Sequence, residues 1–248
     1  MRRSSCIFAL ILSFFGISQT ALSIQSFPTP IVVVRSGHSA FAANFAHSSP
    51  RAFTSEGTEE IVEQRRISKP FTAIDVNGGG ITVEVMCQQE PKIEIVGEPE
   101  AVKMIETDIS DGRLEISGAA WRAGKKAIVV RVSTQFINSI EMSGANVMKA
   151  TRINSDVLDI ELSGACVLEA SGKVKKLMLE VSGASVVNVK DLIAEKVTVE
   201  ADGACKATVY AEKYLSASAS GVSKVMYWGE PKEITKDVCG LAKVSPMK

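Results

Sequence analysis

Apolar and polar residues alternate along several segments in the second half of the chain. Each of these segments leads into a glycine and has apolar residues two and four positions before it. The apolar residues concerned are Ile140 and Met142, then Leu158, Ile160 and Leu162, then Leu177, Leu179 and Val181, then Val197, Val199 and Ala201. Because side chains on a strand point to opposite faces in turn, this period of two predicts strands that bury one face.

The glycines that follow these segments define an internal repeat. They lie in Ser-Gly-Ala or similar triplets, 18 to 20 residues apart, and are Gly144, Gly164, Gly183, Gly203, Gly221 and a degenerate Gly240. Repeats built from helix pairs need ~33 residues or more, so the period excludes them. Leucine-rich repeats fit the length, but their Asn or Cys consensus and helical return are missing. The sequence therefore predicts an all-β fold, a single-stranded parallel β-helix (solenoid) with about 19–20 residues per coil.

In such a solenoid, equivalent strands of successive coils pair in parallel at ~4.8 Å. We expect inward side chains two and four residues before each glycine and four and six residues after it. Apolar residues about ten after glycine, at Ile153, Val174 and Ile193, are expected to line a third side. Glycine suits a corner that needs a positive φ. Val222 replaces the usual corner Ala in a coil whose strand is thinned to alanines, so we expect Val222 to point inward.

The pattern also divides the chain. Residues 1–23 are typical of a signal peptide, with a short basic start, an apolar run of about eleven residues and small residues before the cleavage site. That run is shorter than the ~20 residues needed to span a bilayer, so we expect export and no transmembrane segment in the mature chain. Residues 24–60 are predicted to be a disordered or poorly ordered linker. Residues 61–133 are expected to form irregular first coils and a cap, and residues 134–248 regular coils that the Gly240 coil closes.

Charge and histidine content narrow the function. The chain has 28 Lys+Arg against 28 Asp+Glu and no basic run, so nothing favours nucleic acid as a partner. Both histidines, His38 and His47, lie in the predicted linker. The folded part therefore lacks an imidazole for general-base catalysis or zinc binding. We expect it to hold no catalytic residues, no metal and no cofactor.

A column of carboxylates is the first candidate for ligand binding. Each member lies three residues before a corner glycine, where the alternation points outward; the members are Glu141, Glu161, Glu180 and Glu200. Like charges stacked at ~5 Å repel one another. Two interpretations remain open: a solvated stripe that Lys175, Lys176 and Lys196 relieve, or a site for Ca²⁺ or a cationic ligand.

Aromatic residues supply the second candidate. Trp121 stands beside three cations in a loop that does not repeat, where it either contacts a glycan or protein partner or covers the end of the core. Tyr210, Tyr214, Tyr227 and Trp228 either cap the C-terminal coils or form an adhesive patch. The sequence places Cys166 and Cys205 in one column two coils apart, roughly 9.6 Å, which is too far for a disulfide, so we expect both to stay reduced.

The chain from about Arg65 to Lys248 resembles a known bacterial family. The residues that carry the resemblance are Arg66-Ile67, Phe71-Thr72-Ala73-Ile74, the segment Asp111 to Ile116, the serial Ser-Gly-Ala corners and Tyr227-Trp228-Gly229-Glu230-Pro231. They are similar to the head GIN domain family, labelled putative autotransporter adhesin. The resemblance implies a right-handed parallel β-helix exported to the cell envelope, with an adhesion role and no established catalytic residues.

These observations lead to one expected function and two alternatives. We expect an exported protein of the periplasm, the outer membrane surface or the cell exterior, with a non-catalytic, adhesion-like binding role toward a surface glycan or protein. A carbohydrate-active enzyme is one alternative, because parallel β-helices host such enzymes, although fold analogy is weak support. The other is a structural or signalling component of the envelope.

Overall fold

The computed structural model describes residues 60–119 and 127–247, which wind into a parallel β-solenoid of about five turns. The predicted fold class is therefore confirmed. The predicted signal peptide, nearly all of the predicted linker and the Trp121 loop lie outside the described residues. The elements are β1 (Ile61–Arg65), β2 (Ala73–Met86), β3 (Lys92–Gly97), α1 (Pro99–Val102), β4 (Ile105–Ser110), β5 (Arg113–Ala119), β6 (Ile128–Ser133), β7 (Ser139–Met142), β8 (Ala145–Leu162), β9 (Val167–Gly183), β10 (Val186–Gly203), β11 (Lys206–Ala219), β12 (Lys224–Trp228), β13 (Glu233–Val238) and β14 (Lys243–Pro246).

The regular coils stack in the register that the glycine repeat predicts. Strands β8, β9, β10 and β11 pair in parallel with their successors, and Leu162 lies directly beside Val181. From Gly144 to Gly221, the residues two and four before each glycine are buried, as are those four and six after it. Apolar side chains from every coil therefore form one core that runs the length of the solenoid.

The first coils differ from the regular ones because strands are inserted between them. Strand β2 pairs in parallel with β5, β6, β7 and β8, so it forms the first full coil. Strands β3 and β4 run antiparallel to β6 and β5, and β1 runs antiparallel to β3. Helix α1 buries Ala101 and Val102 at this end. The N-terminal end of the core is thus covered.

Corner glycines stack directly on one another along the solenoid. Gly183 has φ +82°, and a Cβ on it would lie 2.5 Å from the carbonyl oxygen of Gly164. That oxygen accepts a hydrogen bond from the Ala184 amide at 2.8 Å. Both the positive φ and the close approach of the two backbones exclude a side chain here.

Small polar residues two positions after each glycine complete the corners. Ser185 is fully buried, and its hydroxyl accepts from the Cys166 amide and donates to the Gly164 carbonyl, both at 3.2 Å. Cys166 and Cys205 occupy the same column and are free thiols, which confirms that they are not joined. The column satisfies backbone groups that the turn would otherwise leave buried without partners.

Two expectations about packing are wrong. Val222 is 57% exposed, because the inward corner position is the residue after it, Ser223, which is buried. Ile193 is 37% exposed, because a register shift between Asn188 and Asp191 turns Leu192 and Ala194 inward instead. At the C-terminal end, the Gly240 coil is the last layer: β13 and β14 lie on either side of Gly240, pair in parallel with β11 and β12, and have side chains that are largely exposed.

Candidate functional site

The four predicted glutamates lie side by side on adjacent strands. Glu141 pairs with Glu161, Glu161 with Glu180, and Glu180 with Glu200. On the other side of Glu141, strand β2 contributes Asp75 in the same register. We call these five carboxylates, Asp75, Glu141, Glu161, Glu180 and Glu200, the acidic column. At ~4.8 Å per strand it extends over roughly 19 Å of the solenoid.

Asp75 and its neighbour Glu115, which pairs with it on β5, are not among the residues predicted from the sequence. A signal for both was present, because Asp75 lies three residues before Gly78 and Glu115 three before Gly118. The inserted strands and helix between these glycines break the spacing of 18 to 20 residues. For that reason the early coils cannot be recognised from the sequence as copies of the repeat.

Stacking of like charges is not a requirement of this fold. On the strands that follow the corner, Arg131, Glu84, Lys149 and Glu169 occupy neighbouring positions in one column, so that their charges alternate. Arg131 Nε lies 3.1 Å from Glu84 Oε2. We call this second column the charge ladder. The same coils thus pair opposite charges on one face and align carboxylates on the other.

Few polar contacts reduce the charge repulsion within the acidic column, and those few lie at one end of it. Arg113 on β5 forms an ion pair with Glu141. Asn77 donates to Asp75 Oδ1 at 2.9 Å. The expectation that neighbouring lysines relieve the column is wrong for Lys175, which instead bonds to Asp156 at 2.8 Å. Among the ion pairs found in the described residues, none involves Glu161, Glu180 or Glu200.

Crowding perturbs the ionisation of two members of the column, Glu161 and Asp75. Desolvation raises the pKa of Glu161 above its ordinary value, and the carboxylates of Glu141, Asp159 and Glu180 raise it further. Burial and then the Glu141 carboxylate raise the pKa of Asp75, although Asn77 and Arg113 act in the opposite direction. The column is therefore a place where a positively charged partner would relieve repulsion that the chain leaves in place.

The acidic column forms one wall of a shallow groove of about 330 Å³. Its other wall is the row of residues just before the corner glycines: Asn77, Ser143, Ser163, Ser182 and Asp202. The Ser143 hydroxyl donates to Asn77 Oδ1, and the Ser182 hydroxyl donates to the Leu162 carbonyl at 3.3 Å. These serines bond to corner groups, so the groove offers carboxylates and hydroxyls along a regular face.

Two further findings concern the described part of the chain. Within it, no three His, Cys, Asp or Glu side chains converge closely enough to bind a metal ion. Nor does any helix there have the length and apolar character to cross a bilayer. Trp121, the remaining candidate from the sequence, lies outside the described residues.

The fold and the site define this protein as a parallel β-solenoid with one aligned acidic face. The family model described as "Putative auto-transporter adhesin, head GIN domain" matches residues 70–231, well over half of the chain. The chain belongs to this family, as the resemblance predicts. A comparison with curated proteins found no match.

Solved structures of similar fold carry related descriptions. A putative adhesin from Bacteroides fragilis is 17% identical, with TM-score 0.58, over 76% of this chain and 97% of its own. A putative adhesin from Parabacteroides merdae is 18% identical, with TM-score 0.47, over 78% and 98%. A putative lipid binding protein from Parabacteroides distasonis is 16% identical, with TM-score 0.44, over 78% and 98%. At this identity, the Bacteroides fragilis likeness supports the fold alone.

Proposed function

We propose that this protein is exported to the cell envelope and acts there as a non-catalytic, adhesion-like binding protein. The acidic column is its contact surface for positively charged groups on a surface glycan or protein. Membership of a family described as adhesins supports the binding role. The predicted signal peptide at residues 1–23 supports export.

One observation carries the assignment of the contact surface: the contrast between the acidic column and the charge ladder. Directly opposed like charges on neighbouring strands destabilise a sheet by roughly 0.2–1 kcal/mol per pair. The same strands avoid this cost on the charge ladder, where Arg131 and Lys149 separate the acids. Four successive like-charge pairs on one face are explained by a partner that neutralises them when it binds.

The shape of the groove favours binding over catalysis. General acid–base cleavage of a glycan needs two carboxyl groups with different proton affinities on either side of the scissile bond. Here the carboxylates lie in a single line on a regular open face. Recognition of a repeated cationic ligand needs only that its charges meet the column at a matching spacing.

An amine-bearing polymer tests the contact surface. Chitosan beads, whose sugars carry amines, are compared with chitin beads, whose amines are acetylated. We expect the purified protein to bind chitosan in a salt-sensitive manner. The double variant Glu161→Gln/Glu180→Gln should weaken this binding by about tenfold or more. The control Glu169→Gln/Asp191→Asn removes the same charge from exposed positions outside the column and should bind like the wild type.

Two results would contradict the proposal. Equal loss of binding in both double variants would mean that total charge, not the column, controls the interaction. Release of new reducing ends or unsaturated sugars from a polysaccharide panel would indicate an enzyme instead. Location is tested separately by cell fractionation and by protease digestion of intact cells, where cytoplasmic retention would exclude the adhesion-like role.

A further inference from the structure

Two aromatic side chains lie next to each other on the outside of the last coils. Tyr210 on β11 and Trp228 on β12 are direct neighbours in the parallel register, so their backbones are separated by ~4.8 Å. Both are half-buried and outward-facing. The preceding member of this outward column is Ile193, paired with Tyr210, and before it Lys173. The aromatic pair is therefore a local departure from the repeat and not a consequence of it.

These rings line a groove that lies on a different face from the acidic column. The groove has a volume of about 650 Å³, and its other lining residues are Glu212, Lys213, Gly229, Glu230 and Met247. We call it the aromatic groove. Its volume falls in the range of small-ligand sites, roughly 300–1,000 Å³. It combines an aromatic floor with charged groups at the rim, which is the composition of a site for an amphipathic ligand.

The surroundings hold the floor and rim in place. Gly229 leaves room for the Tyr210 ring, because a Cβ on this glycine would lie 3.4 Å from Tyr210 Cε1 and 2.1 Å from the Ala211 carbonyl oxygen. Lys213 Nζ lies 2.6 Å from Glu195 Oε2, which positions the ammonium at the rim. The Met247 amide donates to the Tyr227 carbonyl at 2.8 Å, which fixes the last strand beside the groove.

Packing alone does not explain a tryptophan at position 228. Its indole Nε1 is buried and has no hydrogen-bond partner among the described residues. A buried donor without a partner costs free energy, which a phenylalanine of similar shape would avoid. What tryptophan adds is a larger outward ring surface.

We propose that the aromatic groove is a sugar-binding site for a neutral glycan. Pyranose rings have an apolar C–H face that stacks on aromatic rings, and hydroxyls at their edges that exchange hydrogen bonds with charged side chains. Tyr210 and Trp228 supply the stacking surface. Glu212 and Glu230 accept from hydroxyls, and Lys213 donates to them. The site is independent of the acidic column, so one chain contacts a cationic group and a neutral sugar on separate faces.

The test uses the full chain and a panel of neutral hexasaccharides: cellohexaose, maltohexaose, mannohexaose and xylohexaose. Trp228 fluorescence is followed in a Trp121→Phe background during titration, and calorimetry confirms each positive result. We expect at least one neutral sugar to shift the emission and to bind. Tyr210→Ala and Trp228→Ala should weaken that binding by about tenfold or more, and Trp228→Phe should retain part of it. Ile193→Ala, the next position in the column, should bind like the wild type.

Two outcomes would overturn the assignment. One is a panel with no neutral binder. The other is a sugar whose binding is unchanged in both Tyr210→Ala and Trp228→Phe. Far-UV circular dichroism and melting temperature identify a variant that has failed to fold. If Trp228→Ala does not fold, the binding affinity of Tyr210→Ala still tests the site. The double variant Glu161→Gln/Glu180→Gln is titrated in parallel. If this double variant loses chitosan binding but still binds the neutral sugar, the aromatic groove and the acidic column are separate sites.

Discussion

Replacement of a stacked corner glycine gives the sharpest test of the solenoid register. In Gly183→Ala the new Cβ would lie 2.5 Å from the carbonyl oxygen of Gly164 and 3.1 Å from its nitrogen. A contact below 3.0 Å with backbone cannot be relieved by a side-chain rotation, so the two coils must separate. The same oxygen accepts from the Ala184 amide at 2.8 Å, and separation would lengthen that bond.

The expected cost has two parts. A left-handed conformation costs an alanine ~1–2 kcal/mol relative to glycine. Weakening the hydrogen bond to the Gly164 carbonyl adds ~0.5–1.5 kcal/mol. Gly183→Ala should therefore lower the free energy of unfolding by ~1.5–3.5 kcal/mol. Gly112 is the matched control, because it has φ +75° and nothing within 4 Å of its ideal Cβ. Gly112→Ala should show only the first part.

Urea unfolding followed by far-UV circular dichroism measures both variants, with equal slopes required for the comparison. The difference between them isolates the contact between stacked corners. Agreement of the two costs within about 0.5 kcal/mol would refute the stacking of Gly183 on Gly164.

Four further predictions concern single side chains. Glu161→Gln should stabilise the protein by ~0.2–1 kcal/mol at neutral pH. Because the folded state raises the pKa of Glu161, the free energy of unfolding of the wild type falls as pH rises through that pKa. The stability gained by Glu161→Gln should therefore vanish at pH values below the ordinary pKa range of glutamate. A gain that does not depend on pH would contradict this prediction. Arg113→Gln should cost ~0.5–1 kcal/mol, less in high salt, and a cost unchanged by salt would argue against the ion pair. Val222→Ala should change stability by less than ~0.5 kcal/mol, since the side chain is exposed, and a larger loss in thermal melts would mean that it packs inward. Maleimide should label the exposed Cys239 rapidly and the buried Cys87 only on unfolding, because burial raises the pKa of Cys87 to about 11. Peptide mapping that finds both cysteines labelled equally would contradict the burial of Cys87.

Much of the regular region could be predicted because one motif fixes it. A glycine every 18 to 20 residues defines the coil, and alternation from that glycine gives the direction of each side chain. This spacing predicts that Glu161 lies beside Glu180 and that Leu162 pairs with Val181, as the structure shows. Corner positions were less predictable, because alternation breaks where the chain turns. The outward direction of Val222 illustrates this.

The first coils could not be ordered from the sequence, because their order in space differs from their order in the chain. Strand β5 follows β2 along the chain but lies on the far side of it, so Gly78 stacks between Gly118 and Gly144. The inserted strands and helix also break the spacing. Asp75 and Arg113 therefore reach the candidate site through long-range pairing. The position of Asp75 three residues before Gly78 marks it as a candidate, but the sequence does not show which strands pair there.

The register of the regular coils also bears on how this surface changes in evolution. Each coil contacts mainly its two neighbours, and every interface repeats the same geometry. An in-frame duplication or deletion of one repeat would therefore insert or remove a complete layer without disturbing the others. The valency of the carboxylate surface, and with it avidity toward a polymeric partner, would change in whole steps with the copy number of one short stretch of DNA.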